Sequence, residues 1–305
     1  LGDVYKRQKQ MNLIIAINES YIPMCKAMLF SFVTNHKDNK INVFLLNSSI
    51  KKGKLKELDA FARSLGIKLS VVEVQPETML HSLKAQSRFS IEMYYRIFAH
   101  KLLPEDVKRA LWIDSDIIVL KNISDFYFQS FDDKPIVVCR DFAYDSAEIA
   151  SIKKKLSIAP EHDYFNSGVI LFNFDIIRRE FSETEFEKIV DEYGSSLKYP
   201  DQDLLNMIYQ NRVKYANEIA YNYQVNNTVR ADAENLNIRI LHYAGYKKPW
   251  SPKIANPICR YYWKNQWKMK NYSEFFKFYL IYCIYAPKKL LRRCLLYTSD
   301  AADEL

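Results

Sequence analysis

Residues 11–46, MNLIIAINESYIPMCKAMLFSFVTNHKDNKINVFLL, decide how the rest of the chain is read. Leu13–Ile17 is an apolar run with the look of a strand. Met24–Thr34 carries apolar residues at helical spacing, and Asn42–Leu46 returns to the strand pattern. Outward from there, Lys54–Leu65 again has helical spacing, Gly66 is placed to stop it, and Lys68–Val74 and Pro135–Cys139 read as further strands. Such alternation predicts an α/β domain with a largely parallel sheet. Ala110–Leu120 is a strand-like run interrupted by Asp114-Ser-Asp116. Asn166–Phe172 is another strand, and Asp201–Tyr209 opens a helix with an acidic first turn.

Composition narrows the function classes. Of 305 residues, 49% are hydrophobic and 26% charged, the profile of a globular protein with a real core. The six glycines are scattered, so neither a dinucleotide loop nor a Walker loop is present. The cysteines, Cys25, Cys139, Cys259, Cys283 and Cys294, form no CxxC pair and no even framework, which argues against a zinc ribbon or a disulfide scaffold. A reducing, cytoplasmic setting follows as an expectation, with no signal-peptide pattern ahead of Met11. The opening LGDVYKRQ and the closing CLLYTSDAADEL resemble translated sequencing-adaptor read-through. Residues 1–10 are therefore expected to be a non-native leader and 294–305 a non-native tail.

Charge divides what remains. Residues 247–293 hold twelve Lys/Arg against Glu274 alone, whereas 11–246 carry about −2. The expected organisation is a catalytic domain over 11–246 and a basic aromatic appendage over 247–293.

Four motifs carry chemistry. In Leu111-Trp-Ile-Asp114-Ser-Asp116-Ile-Ile-Val-Leu120, two carboxylates two apart in an extended chain would point to the same side. Their apolar flanks place them at a buried strand end, where unpaired charge is costly. A hard divalent cation, Mn²⁺ or Mg²⁺, suits such oxygen ligands and can bridge to a diphosphate. The bland alternative is an exposed turn. In Tyr164-Phe-Asn166-Ser-Gly168-Val-Ile-Leu-Phe-Asn173, a polar residue and a glycine open a buried strand, where sites in open α/β sheets gather; a tight turn is the alternative. Tyr199-Pro-Asp201-Gln202-Asp203-Leu-Leu-Asn206 places acids in a first helical turn, which the helix dipole alone would explain. Leu241-His242-Tyr-Ala-Gly245-Tyr-Lys-Lys248-Pro249-Trp250 offers a metal ligand, a close backbone approach and a phosphate partner, although a lone histidine is more often structural.

In this order the four motifs resemble glycosyltransferase family 8, the bacterial lipopolysaccharide galactosyl- and glucosyltransferases and glycogenin. The resemblance runs from Met11 to about Trp250. It implies a GT-A fold, a UDP-hexose donor, Mn²⁺ (or Mg²⁺) and retention of anomeric configuration. By that resemblance Asp114, Asp116 and His242 bind the metal. Ala16, Asn18 and Tyr21 match the uridine-binding stretch, with Tyr21 placed to stack on uracil. Arg96 and Ser115 join the donor site, Asp141 and Asn166 line the sugar and acceptor pocket, and Asp201 and Gln202 stand beside the reacting sugar. Gly245 and Lys248 match the loop that closes on the diphosphate. The family usually has Asp at Asn18, but an amide oxygen can still accept from uracil N3–H.

The implied function is hexosyl transfer, of galactose or glucose, to a glycan acceptor in lipopolysaccharide or other surface-polysaccharide synthesis. Two alternatives stay open: a glycogenin-like self-glucosylating protein, and a sugar-nucleotide-binding protein without turnover. The appendage interleaves Trp, Tyr and Phe with Lys and Arg. Glu274–Tyr285 is too short to span a bilayer, and the composition suits a membrane surface, so a peripheral position on the inner face of the cell membrane is expected. A helix packed on the main domain is the alternative; nucleic-acid binding is not expected.

Overall fold

A computed structural model describes residues 9–75, 91–142, 146–225, 236–245, 248–250, 257–276 and 280. The expected adaptor-derived residues 1–8 and 294–305 lie outside these, as do Cys283 and Cys294.

The strands are β1 (Gln10–Ala16), β2 (Lys40–Asn47), β3 (Lys68–Glu73), β4 (Arg109–Ile113), β5 (Ile117–Val119), β6 (Ile136–Arg140), β7 (Phe165–Asn173), β8 (Val213–Tyr215), β9 (Tyr223–Gln224) and β10 (Ile240–His242). The helices of seven residues or more are α1 (Ile22–Asn35), α2 (Lys52–Ser64), α3 (Ser146–Lys155), α4 (Phe174–Glu180), α5 (Glu183–Tyr193), α6 (Pro200–Ile208) and α7 (Arg260–Lys268). The expected strands and helices over residues 13–74 are all present. Gly66 ends α2's turn at φ 75°, a left-handed conformation that glycine adopts without strain. Strand β1 begins at Gln10, within the expected leader, and pairs it with Lys40; backbone pairing asks little of the side chain.

Seven strands form the main sheet in the order β3-β2-β1-β4-β7-β6-β8, and β5-β10-β9 form a small second sheet. The main sheet is parallel except at β7, which runs antiparallel to both its neighbours, β4 and β6. The central strands β4, β6 and β7 are buried on both faces, as helices on each side require, so they read as nearly continuous apolar runs, while the edge strand β3 is half-exposed. Alternation survives inside the sheet. Leu13, Ile15, Leu111, Ile113, Val169 and Leu171 enter the core under α1 and α2. Ile14, Ala110, Trp112, Ile170 and Phe172 enter the core on the opposite face.

Two expectations need correction. Ala110–Leu120 is not one interrupted strand, because β4 belongs to the main sheet and β5 pairs with β10 in the small one. Asp114-Ser-Asp116 is accordingly a turn between sheets and not extended chain, so period-two geometry does not bring its carboxylates together. Charge composition also marks a different boundary from packing. Ile258, Cys259, Tyr262 and Trp263, all beyond residue 247, share a core with Ile118, Leu241 and Tyr243. Asn265 Nδ2 donates to the Ala27 carbonyl of α1 at 2.8 Å, so α7 packs on the main domain. Cys25, Cys139 and Cys259 are buried and take part in no disulfide among the described residues.

Candidate functional site

The antiparallel course of β7 creates the site. The carboxyl ends of β1, β4 and β6 share one edge of the sheet, and a reversed β7 brings its amino end there too. Register pairs Ile113 with Val169, and Asp114 N–H donates to the Gly168 carbonyl at 3.0 Å. Asn18 follows β1, Asp114 follows β4, Asp141 follows β6, and Asn166–Gly168 open β7. Four strand ends therefore converge where sites in open α/β sheets form.

Asp114, Asp116 and His242 each present a ligand atom, all within 4.8 Å of one another. Asp116 hangs between the sheets. Its carbonyl accepts from Tyr243 N–H at 3.0 Å, and β5–β10 register pairs Ile117 with His242. Its Oδ2 pairs with Lys248 Nζ, which also donates to the Tyr243 carbonyl at 2.7 Å. Its Oδ1 is buried without a hydrogen-bond partner and lies 3.3 Å from His242 Nε2. Burial alone would raise this carboxyl's pKa, but Lys248 and then His242 outweigh it and hold Asp116 well below the usual carboxylate range. A buried, ionised carboxylate with an unpartnered oxygen facing an imidazole nitrogen fits a divalent cation.

Arg96, at the end of a 3-10 turn over Ile91–Arg96, holds the second carboxylate. Its Nη2 meets Asp114 Oδ1 at 3.0 Å, its Nε meets Asp201 Oδ2 at 3.1 Å, and its Nη1 donates to the Ser167 carbonyl at 2.6 Å. The guanidinium lies 4.6 Å from the centroid of the Trp112 ring, whose Nε1 donates to the same Asp114 Oδ1 at 2.8 Å. Two donors thus occupy Oδ1 and fix the carboxylate's rotation. Arg96 is buried, spends these donors inside the protein, and also lines the cavity beside the acids.

Gly168 makes room for this cluster. A Cβ there would overlap His242 Cε1 and lie 3.0 Å from both His242 Nδ1 and Asp114 Oδ2. Beside it, Asp141, Asn166, Asp201 and Gln202 are joined by hydrogen bonds. Gln202 Oε1 accepts from Asn166 Nδ2 and from Ser167 N–H, both at 3.0 Å, while its Nε2 donates to Asp141 Oδ2 at 3.0 Å. Ser167 Oγ donates to Asp201 Oδ2 at 3.0 Å. Asp201 is raised in pKa mainly by burial, with Arg96 opposing and Asp114 reinforcing the shift.

Ala16, Asn18, Tyr21, Arg96, Asp114, Ser115 and Asp116 line one cavity of about 210 Å³, together with Ile17, Glu92 and Met93. Asn18 Oδ1 accepts from Ser20 N–H at 3.1 Å and from Ser20 Oγ–H at 2.6 Å, so its amide oxygen is engaged within its own turn. Gly245 has φ 76° and is exposed, on the loop leading to Lys248. Lys248 is seated on Asp116, not extended into the cavity. The structure also brings in Trp112, Ser167, Gly168 and Asn222, which the motif reading did not assign. The first three sit inside quoted motifs; Asn222 has no sequence signal.

The fold and the convergent acids place the chain among known proteins. A lipopolysaccharide 1,2-glucosyltransferase of Escherichia coli is 24% identical over 273 residues, covering 85% of this chain and 78% of its own. A lipopolysaccharide 1,3-galactosyltransferase of Salmonella typhimurium is 22% identical over 265 residues, covering 83% of this chain and 77% of its own. Among solved structures, the galactosyltransferase LgtC in complex with donor and acceptor sugar analogs superposes with a TM-score of 0.72 at 22% identity, covering 84% of this chain and 95% of that one. That likeness shows the fold, a GT-A arrangement. The sequence profile of glycosyl transferase family 8 matches residues 12–253, a span that holds every residue of the site described above, and the chain belongs to that family.

Proposed function

We propose that this glycosyltransferase moves galactose or glucose from a UDP-sugar to a glycan acceptor with retention, in lipopolysaccharide or other surface-polysaccharide synthesis. The observation that carries the reading is the convergence of Asp114, Asp116 and His242 at a cavity lined by Ala16, Asn18, Tyr21, Arg96 and Ser115. Related family members named as lipopolysaccharide glucosyl- and galactosyltransferases support the substrate class. Asp114, Asp116 and His242 would hold Mn²⁺ or Mg²⁺, and such a cation supplies charge stabilisation to a leaving diphosphate. Tyr21 stacks on the uracil, Asn18 donates to one of its carbonyls, and Lys248 leaves Asp116 for the diphosphate. The left-handed Gly245 lets the loop backbone approach closely.

Asp141, Asn166, Asp201 and Gln202 orient the sugar. Gln202 Oε1 accepts two hydrogen bonds, and Asp201 Oδ2 is held by Arg96 and Ser167. Gln202 is an amide and a poor nucleophile, and its oxygen is engaged twice, which favours front-face attack over double displacement through Gln202. The leaving phosphate oxygen then takes the acceptor's proton.

A donor screen reading UDP release, with and without chelator, tests the assignment. UDP-galactose or UDP-glucose should be consumed only with metal, and the early product should show the α-anomer coupling by NMR. A β product, or release unaffected by chelator, overturns the reading. Intact-mass growth with donor alone would instead identify a self-glucosylating protein, and no consumption of any donor a binding protein.

The appendage is proposed to rest on an anionic membrane surface. Among the described residues no helix is long and apolar enough to cross a membrane. While α7 commits its inner face to the core, Trp267, Tyr272 and Phe276 are 49%, 45% and 51% exposed, and Trp267 meets the other two rings edge to face. Each Lys or Arg near an anionic leaflet contributes about 1 kcal/mol. The protein should sediment with anionic vesicles at low salt and be released at about 1 M, where the Debye length falls to about 3 Å. Substituting Trp267 and Phe276 together by Ser should weaken sedimentation; unchanged sedimentation would assign the segment to packing.

A further inference from the structure

Asn222 carries an inference that extends the proposed metal site and rests on it. It is fully buried, between the last turn before β9 and the mouth of the site. Its Oδ1 lies 2.9 Å from His242 Nδ1, and its Nδ2 donates to Asn166 Oδ1 at 3.0 Å.

Which ring nitrogen of His242 carries the proton follows from a backbone group. Gly168 N–H can only donate, and it donates to Asn166 Oδ1 at 3.0 Å. That fixes the Asn166 amide with its oxygen toward Gly168. Ser167 N–H likewise donates to Gln202 Oε1, which accepts from Asn166 Nδ2 at 3.0 Å, so the far end of Asn166 agrees. Asn166 Oδ1 requires a donor from its other neighbour, and Asn222 must turn its N–H₂ toward it. Asn222 Oδ1 is then left facing His242, and Nδ1 must bear the hydrogen. The lone pair falls on Nε2, which faces Asp116 Oδ1 at 3.3 Å.

We propose that Asn222 is a positioning residue, setting the tautomer of His242 for metal ligation and tying that ligand to the Asn166–Gln202 pair. A histidine ligand whose second nitrogen donates to a fixed oxygen is held in orientation, and loss of such a partner typically costs 10–100-fold in metal affinity or activity. The chain of amides is directional: every bond from His242 through Asn222 and Asn166 to Gln202 donates toward Asp141. Movement at the metal ligand is thereby felt at the sugar pocket.

Long-range ¹H–¹⁵N spectra of ¹⁵N-histidine-labelled protein, with His242 identified by its loss in His242→Ala, read the tautomer directly. A hydrogen on Nδ1 is expected, and a hydrogen on Nε2 in its place overturns the proposal. Mn²⁺ titrations followed by electron paramagnetic resonance give the second readout. Asn222→Leu should bind Mn²⁺ about 10–100-fold more weakly. Asn222→Asp, which keeps an acceptor for Nδ1–H but offers none of the hydrogens Asn166 receives, should retain Mn²⁺ affinity and lose kcat. Wild-type affinity in Asn222→Leu, with affinity lost in His242→Ala, would overturn the role of Asn222 and leave the metal site standing. Equal binding by wild type and His242→Ala would overturn the metal site itself.

Discussion

Replacing Asp116 with Asn is expected to lower turnover of the sugar-nucleotide donor by at least about 10²-fold, the scale of losing one key electrostatic stabiliser. The substitution keeps the shape of the side chain and removes its charge. Asp116 meets two partners at once, Lys248 at Oδ2 and His242 near Oδ1. An amide cannot serve both, because its N–H₂ must face either an ammonium or the site where a cation would sit. The folded state should survive, since Tyr243 N–H is held by the Asp116 main chain and Lys248 can swing toward water. Asp114→Asn is expected to act alike, because Arg96 and Trp112 both donate to its Oδ1 and would meet an N–H₂ if the amide turned. Steady-state kinetics with added Mn²⁺ and with chelator, beside a thermal melt, check both variants. Full activity of either in the presence of chelator would remove the metal assignment.

A second large loss is expected from Gly168→Ala, although only one methyl is added. The methyl would overlap His242 Cε1 and crowd Asp114 Oδ2. Relief by moving His242 would break its bond to Asn222, and relief by moving Asp114 would disturb its bonds to Arg96 and Trp112. Overpacking of this kind costs about 1–3 kcal/mol in stability, but the greater loss should be in Mn²⁺ binding and kcat, again at least about 10²-fold. Gly53→Ala is the control. Nothing lies within 4 Å of a Cβ there, and alanine within α2 should stabilise by about 0.5–1 kcal/mol with activity unchanged. Wild-type kcat and Mn²⁺ affinity in Gly168→Ala would show that the close approach of His242 to the strand is dispensable.

The proposed membrane contact and the candidate site fall on different parts of the fold. The site lies at the ends of β1, β4, β6 and β7, whereas the exposed aromatics Trp267, Tyr272 and Phe276 lie on and beyond α7. Surface variants there should leave donor hydrolysis intact.

Local patterning by itself determined the class of fold, its elements up to residue 74, and β6, β7 and α6 beyond them. Apolar runs such as Leu13–Ile17 report a strand buried on both faces, and helical spacing over Met24–Thr34 reports a helix with one face inside; both periods are properties of the segment alone. The acid pair was legible as a candidate because a charge flanked by apolar residues needs a partner wherever it folds, whereas His242 was marked only by the family resemblance of its motif. What a segment pairs with is not written in its own period. The tertiary structure decided that β7 runs antiparallel, which brings Asn166 and Gly168 to the acids. It decided that Ala110–Leu120 divides between two sheets, so Asp114 and Asp116 meet across a turn. It assigned α7 to the core although its composition reads as a separate appendage, because charge counts do not register which face of a helix is covered. It also decided which groups Arg96, Lys248 and Asn222 meet. Such contacts join donors to acceptors across long stretches of chain, and a polar side chain carries no periodic mark of its partner until the backbone has placed both.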